Sequence, residues 1–354
     1  MSTKTNNTIS STRPGKRVTI KEVAEHAGVS LQTISRVVNA SQNVADETRQ
    51  RVLQAIAELG YRRSELARHL NQGRSYTLGA VGSDVGYVGT GTFLGIARQA
   101  DALGYSLQLK ELSVTHTEEE ARNVLHGLAD RLVDGILWAL PEIGDNHAWL
   151  DSGLLDEIPV PVIFLSMRPR SNFTVVAYDN FEGGTLAMRH LIENGRRTIG
   201  HIAGPLNWWV SQERIRAWEE NICHAELSFD PTRLTAGNWE ASSGLQAMHT
   251  LLDRHPEIDA VFAANDKMAL GALLAAHQRR LRIPEDIAIV GFDNTPESAC
   301  FFPPLTTIIQ DKVQLGELAT RVLVHHAEAR FSHLAPTKID TTSLSQQLFV
   351  RESS

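Results

Sequence analysis

The sequence has little of what a secreted or membrane-spanning protein requires. Its 354 residues include only two cysteines, Cys223 and Cys300, which are too few for a disulfide framework. No stretch approaches the roughly 18 consecutive apolar residues of a membrane span. Residues 1–17 are polar and basic and lack the apolar run of a secretory signal. We therefore expect a cytoplasmic protein with no membrane partner.

The sequence also lacks the residue patterns of common active sites and metal centres. The glycine-rich segment 82–95 has neither the Lys-Ser/Thr ending of a phosphate-binding loop nor the glycine spacing of a dinucleotide site. No Gly-x-Ser-x-Gly elbow occurs. His325 and His326 are adjacent, so they cannot face one metal ion as an i, i+4 pair can. We predict no catalytic residue, no metal site and no cofactor, and therefore a protein that is not an enzyme.

Acidic charge is scarce in only one part of the chain. The net charge is −7, yet the first 75 residues hold 12 Lys and Arg against 6 Asp and Glu, whereas the remainder carries −13. A small basic segment on an acidic body is typical of a protein in which only that segment meets a polyanion. Nucleic acid is the first candidate, and an incidental basic surface is the alternative.

The rest of the chain has ordinary globular composition, and its pattern predicts the domain organisation. Residues 1–16 are polar and are predicted to form a disordered tail, and residues 17–73 form the basic head. Residues 74–350 alternate apolar strands with amphipathic helices, which predicts parallel sheets covered on both faces. Because this body exceeds the size of one sheet domain, we expect two α/β lobes with a cleft between them. The strands are expected at 78–82, 106–109, 135–139, 161–165, 174–178, 198–203, 260–263 and 287–292, with a final strand after Leu344.

The head is predicted to contain three short helices between Val18 and Tyr61. Thr19 and Glu22 have capping-box spacing at the start of the first helix. Gly28 suits a tight turn, and Ser30 is placed to cap a second helix. Apolar positions of these helices can pack together, while a set of side chains near the start of the second helix is not needed for that packing: Leu31, Gln32, Thr33, Ser35, Arg36 and Asn39. Such side chains suit base edges and phosphates in a DNA major groove, and a three-helix interaction module is the alternative.

The segments Val-Ala-Glu-His-Ala-Gly-Val-Ser at 23–30 and Gln-Thr-Ile-Ser-Arg-Val-Val-Asn at 32–39 resemble the helix-turn-helix of the LacI/GalR family of bacterial transcription regulators. The resemblance implies that Leu31, Gln32 and Arg36 read bases of a double-stranded operator and that Asn39 belongs to the same surface. It implies phosphate contacts for a further set of hydroxyls: Thr19, Ser30, Thr33, Ser35 and Thr48.

Residues 64–71 are similar to the family's hinge helix, which orders on DNA and inserts a leucine into the minor groove. Leu70 is the implied wedge, and an apolar wedge can unstack a base step and bend the duplex. A plain helix-packing pair of Leu66 and Leu70 is the alternative. Arg63 and Glu65 depart from the family pattern, in which proline is common before the helix.

The resemblance extends to the end of the chain, with close runs at 201–206, 263–271, 289–295 and 298–311. It implies a body like the periplasmic sugar-binding proteins, with two lobes joined by three crossovers. The residues that fall on the family's inducer-contacting positions are Arg214, Trp239, Asn265, Asp293 and Gln310.

These residue types fit a sugar. Asp293 can accept hydrogen bonds from adjacent hydroxyls, and Arg214 is a fork of donors. Trp239, with Trp208 or Trp209, offers a flat apolar face. We assign Asp266 to the cap of the following helix. Ser166 stands where the family's lactose-responsive members have an acidic ligand residue, which changes the recognition of one sugar hydroxyl.

We therefore predict a homodimeric repressor whose operator affinity is released by a small carbohydrate, a β-galactoside or β-glucoside. No leucine-heptad helix follows Leu344, so a tetramer of the kind that such a helix makes is not expected. Two alternatives stay open from the residues. One is a solute-binding protein whose head is only a docking module, and the other is a regulator of the same fold that binds a purine-type corepressor, since an aromatic base can also stack on Trp239.

Overall fold

The computed structural model describes residues 18–38, 44–61, 74–83, 90–332 and 341–354. The chain divides into two compact units, residues 1–73 and 74–354. Asn39, Leu70 and the whole predicted hinge helix lie outside the described residues, so the expectations for them stay predictions. Within the described ranges, no helix is long and apolar enough to cross a membrane.

The first unit contains three helices: α1 Ile20–Ala27, α2 Leu31–Val38 and α3 Asp46–Leu59. The predicted capping box is present, because Thr19 accepts a hydrogen bond from the amide of Glu22 while the Glu22 carboxylate accepts one from the amide of Thr19. Gly28 adopts the left-handed conformation that the turn into α2 requires. A small apolar core then holds the helices together: Val23, Ala24, Ala27, Ile34, Val37, Val52 and Ala55.

The second unit begins with a parallel sheet and its helices. The elements of this first lobe, before the chain leaves it, are β1 Thr77–Gly82, α4 Thr90–Ala102, β2 Ser106–Glu111, α5 Glu118–Ala129, β3 Gly135–Trp138, β4 Val162–Leu165 and β5 Thr174–Tyr178. The strand order is β2-β1-β3-β4-β5 and every pairing is parallel. Apolar clusters cover both faces of the sheet, which explains why its strands are nearly continuous apolar runs.

The second lobe repeats this architecture. Its elements are α6 Asn180–Glu193, β6 Ile199–Ala203, α7 Trp209–His224, β7 Leu234–Ala236, α8 Ala241–Arg254, β8 Ala260–Ala263, α9 Asp266–Gln278, β9 Ala288–Asp293 and β10 Thr306–Ile309. The strands pair in parallel in the order β7-β6-β8-β9-β10. Apolar clusters again lie on both faces of the sheet.

The chain passes between the lobes three times. It leaves the first lobe after β5 and returns after β10 with α10 Lys312–Phe331, which packs against α4. This helix pair is so close that a side chain at Gly95 or Gly316 would collide with the opposite backbone. The chain then adds β11 Thr342–Leu344 to the first sheet, parallel to β5, and β12 Gln347–Phe349 to the second sheet, antiparallel to β10.

The predicted fold is confirmed: a helix-turn-helix head precedes a two-lobed body with mainly parallel sheets. The eight strands predicted in the body are present, with ends shifted by up to two residues. The strands that the sequence pattern missed include β7 and β11, each of three residues at or near a sheet edge. Such short strands carry too few residues for a period-2 pattern to be visible.

Candidate functional site

The polar face of α2 is the candidate nucleic-acid surface. Ile34 and Val37 are buried in the head core, which turns Gln32, Ser35 and Arg36 outward to solvent. Leu31, at the first position of the helix, is 49% exposed although it is apolar. An exposed row of this composition along one helix presents hydrogen-bond donors, an acceptor and an apolar contact to a groove.

Hydroxyl groups lie at the start of all three head helices. The Ser30 side chain accepts a hydrogen bond from the amide of Thr33 and lies 2.9 Å from the Thr33 hydroxyl. The Thr19 hydroxyl donates to the Glu22 carboxylate at 2.9 Å. Thr48 is half-buried in the first turn of α3. These hydroxyls sit beside the amide-rich ends of helices, where phosphate oxygens bind well, but Thr19 can donate to a phosphate only if it releases Glu22.

Arg214 is the centre of the candidate ligand cleft in the body. It lies on α7 and is 4% exposed. Its Nε and Nη2 donate to the side-chain oxygen of Asn180 at 3.1 and 2.7 Å, and its Nη1 donates to the carbonyl of Ala264. The guanidinium also stacks on the ring of Phe292 at 3.7 Å. Burial lowers the pKa of Arg214 to about 10, and the nearby Asp293 and Asp266 oppose that shift.

Asn180 joins two of the three crossovers and was missed by the sequence analysis. Its side-chain oxygen accepts the Arg214 hydrogen bonds and lies 3.4 Å from the Gln310 amide nitrogen, which donates to it. The Tyr178 hydroxyl donates to the carbonyl of Asp311 at 2.7 Å and links the same two crossovers. In the sequence, Asn180 is one of many polar residues that begin a helix. Only its position at a crossover between the lobes could have identified it as part of the ligand site.

Two carboxylates of different character lie beside Arg214. Asp293 ends β9 in a positive-φ conformation and forms an ion pair with Lys312 at 3.5 Å. Asp266 is fully buried, accepts hydrogen bonds from the Thr307 hydroxyl and the Thr295 amide, and has a pKa raised to about 7 by burial and by Asp293. The assignment of Asp266 as a helix cap is wrong, because Asn265 holds that position.

Asn265 caps α9 and also fixes the aromatic wall of the cleft. It accepts a hydrogen bond from the Met268 amide at 2.8 Å and donates one to the carbonyl of Trp239 at 2.9 Å. Trp239 has a positive φ of 72°, and its ring lies against Gly204, where any side chain would collide with it. The ring of Trp208 meets Trp239 edge-on, with centroids 5.5 Å apart. Strained backbone of this kind is concentrated at functional sites.

The structure brings the five predicted ligand residues together. Arg214 contacts the ring of Trp239 and hydrogen-bonds to the carbonyl of Ala264, next to Asn265. The backbone amide of Gln310 donates to the backbone carbonyl of Asp293. The side chains of Arg214 and Gln310 both donate to the side-chain oxygen of Asn180. Ser166 follows β4 of the first lobe, half-buried and with a positive φ. Together these residues provide the buried guanidinium of Arg214, the carboxylate of Asp293, the side-chain amide of Gln310 and the indole rings of Trp208 and Trp239. In the described part of the chain, no group of three or more metal-ligating side chains could hold an ion.

Comparisons with known proteins agree with both halves of this architecture. Residues 19–64 match the family described as bacterial regulatory proteins, lacI family, and residues 188–354 match the periplasmic binding protein-like domain. The HTH-type transcriptional repressor PurR of Mannheimia succiniciproducens is 35% identical over 338 residues, which cover 95% of this chain and 98% of that protein. PurR of Haemophilus influenzae is 34% identical with the same coverage.

Two solved structures extend the similarity to three dimensions. The lac repressor dimer bound to operator and the anti-inducer ONPF has a TM-score of 0.83 and 30% identity, covering 96% of this chain and 99% of that chain. A transcriptional regulator CelR–cellobiose complex has a TM-score of 0.68 and 32% identity, covering 96% and 100%. The alternative of a solute-binding protein with a docking head is therefore set aside. The chain belongs to the lacI family of bacterial regulatory proteins and is a DNA-binding transcriptional repressor of that family.

Proposed function

We propose that this repressor is controlled by a small carbohydrate, a β-galactoside or a β-glucoside, which binds at Arg214 between the lobes and releases the operator. The observation that carries the proposal is the pairing of a buried guanidinium and the Asp293 carboxylate with the indole walls of Trp208 and Trp239. A pyranose presents hydroxyls on its edge and an apolar C–H face, and such a site addresses both.

Each polar group has a defined role in this proposal. Arg214 has N–H groups beyond those that Asn180 and Ala264 engage, and these donate to sugar oxygens. The Asp293 carboxylate accepts from neighbouring sugar hydroxyls and lies 3.5 Å from the Lys312 ammonium. Gln310 lies at a crossover, so contact with it links the ligand to the relative position of the lobes. A ligand that prefers one lobe arrangement by about 1–3 kcal/mol gives a useful switch.

The similar structures include the transcriptional regulator CelR in complex with cellobiose and the lac repressor bound to ONPG. The second candidate ligand is a purine, in which case the ligand strengthens DNA binding. The flat indole face of Trp239 favours this candidate, because a planar base can stack on it. A purine has no vicinal hydroxyls, however, so the Asp293 carboxylate can accept only from its ring or amino N–H groups.

We further propose that the DNA surface is the α2 face, with Gln32 and Arg36 on base edges and the hydroxyls of Thr19, Ser30, Thr33, Ser35 and Thr48 on phosphates. The operator can be recovered by selecting genomic fragments on the full-length protein. Because phosphate contacts release counterions, its affinity must fall steeply with added salt. Arg36→Ala should reduce the preference for the selected fragment over random DNA, at a cost of about 1–3 kcal/mol for a bidentate base contact.

The ligand is tested by calorimetry on the full chain with methyl β-galactoside, methyl β-glucoside, cellobiose, guanine and hypoxanthine, followed by titration of each into the labelled operator complex. We expect a glycoside to bind and to release DNA. Arg214→Lys keeps the positive charge but loses the planar set of N–H donors of the guanidinium. We therefore expect glycoside affinity to fall by roughly 10–100-fold while operator affinity stays unchanged. Binding of a purine alone, with a tightened DNA complex, would establish the second candidate.

A further inference from the structure

The loop between α7 and β6 in the second lobe forms a direct backbone connection to the first lobe. Trp208 pairs with Ile143 in an antiparallel bridge. The Gly144 amide donates to the carbonyl of Asn207 at 2.8 Å, and the Trp209 amide donates to the carbonyl of Glu142 at 3.1 Å. These hydrogen bonds join the lobes at a place separate from the three crossovers.

Trp209 extends the connection with its side chain. It is the first residue of α7, an element of the second lobe, yet it is 7% exposed and belongs to the apolar cluster of the first lobe. That cluster also contains Leu140, Trp149 and Phe164. A large aromatic side chain that one lobe contributes to the core of the other adds apolar burial to the contact between them.

The first-lobe loop that hydrogen-bonds to the backbone at Asn207 and Trp209 is ordered by its own side chains. The Glu142 carboxylate, 6% exposed, accepts a hydrogen bond from the Arg168 amide at 2.7 Å and lies 3.4 Å from Arg170. Asn146 accepts from the Ile143 amide at 3.0 Å and donates to the carbonyl of Pro141 at 2.9 Å. Because these bonds order the loop independently of Trp209, it forms a preformed socket, which we define as residues 140–147.

The residue before Trp209 belongs to the candidate ligand wall. Trp208 meets Trp239 edge-on, and Arg214 follows five residues after Trp209 on the same helix. We propose that Trp209 is an interlobe plug: its insertion into the socket holds the two lobes together beside the cleft. This assignment rests on the proposed function only where a ligand is added, because the plug itself is a property of the chain alone.

The test is amide hydrogen exchange on the full-length protein without ligand, comparing wild type, Trp209→Ala and Trp209→Phe. We expect Trp209→Ala to raise the exchange rate of the Gly144 amide at least tenfold, because that amide donates across the lobes. The amides of β3 and β6, within the two sheets, should keep their wild-type rates. Trp209→Phe, which keeps an aromatic plug, should give an intermediate rate.

Leu125→Ala is the matched control, since Leu125 is fully buried in the same apolar cluster but lies wholly within the first lobe. It should weaken the first lobe without selectively freeing Gly144. If Gly144 exchanges in Trp209→Ala as slowly as in wild type, or if Leu125→Ala frees it equally, the plug assignment is overturned. A selective effect at Gly144 combined with no binding across the ligand panel would support the plug and reject the carbohydrate proposal.

Discussion

His201 shows at the scale of one residue how burial changes side-chain chemistry. It lies on β6 with no exposed surface, stacked between Trp218 and Phe262. Its Nδ1 donates to the carbonyl of Phe262 at 2.8 Å, while its Nε2 has no hydrogen-bond partner among the residues that the structure describes. Burial among apolar rings therefore lowers the pKa of His201 to about 3.

This depressed pKa has a consequence for stability. The unfolded chain binds a proton at His201 near pH 6.5, whereas the folded chain stays neutral down to about pH 3. The stability that the neutral imidazole contributes is therefore present above pH 6.5 and is lost as the pH falls toward 3, by about 1.4 kcal/mol per pH unit. Urea unfolding of His201→Phe between pH 6 and 4 should show a slope reduced by that amount. Phe262→Leu perturbs the same stack but keeps the imidazole, so it should retain the wild-type slope; an unchanged slope in His201→Phe contradicts the assignment.

The start of the first strand is the clearest case at the scale of elements. The buried carboxylate of Asp134, just before β3, accepts hydrogen bonds from the amides of Ser75 and Tyr76 at 2.8 and 3.0 Å. Arg74 lies 3.9 Å from the same carboxylate and stacks on Tyr76 and on Phe331 of α10. One acidic side chain thus fixes the point where the body begins, next to the predicted hinge segment.

Asp134→Ala should lower the free energy of unfolding by about 1–3 kcal/mol, because it leaves two half-buried amides without their charged acceptor. Chemical denaturation monitored by circular dichroism measures this loss. Asp130→Ala, at an exposed site four residues earlier, should change stability by no more than about 0.5 kcal/mol. Equal effects of the two substitutions would show that the amides find another acceptor.

At the scale of the whole molecule, the body exposes neighbouring apolar side chains on one helix. Leu270 and Leu274 lie one turn apart on α9 and are 40% and 47% exposed, and Phe302 is 91% exposed. Neighbouring apolar side chains of this kind mark an interaction surface. We therefore predict that the homodimer expected from the sequence forms through α9.

Leu274→Glu should convert the dimer into a monomer, since it places a charge in the apolar contact. Sedimentation at micromolar concentration measures the mass, and operator affinity should fall in parallel because a two-fold operator is read by two heads. Leu132→Glu, at a 64% exposed leucine in the first lobe, is the control and should leave the dimer intact. A Leu274→Glu protein that keeps the mass of two chains would place the interface elsewhere.

Local signals in the sequence were sufficient for the head and for the order of elements. The capping box at Thr19 and the turn at Gly28 depend on contacts within a few residues, and the apolar spacing marks the buried face of α2, so the sequence alone can identify them. The alternation of strands and helices likewise predicted parallel sheets, because parallel strands buried on both faces must be apolar, and the length of the body indicated two of them.

The tertiary structure alone decided the partners in the cleft and between the lobes. Arg214 hydrogen-bonds to Asn180 and Ala264, which are 34 and 50 residues away in the sequence. The residue that caps α9 is Asn265 rather than the predicted Asp266. Trp209 belongs to one lobe by sequence and to the core of the other by packing. Such contacts depend on how the crossovers set two lobes against each other, a geometry for which hydrophobic periodicity and local spacing carry no signal.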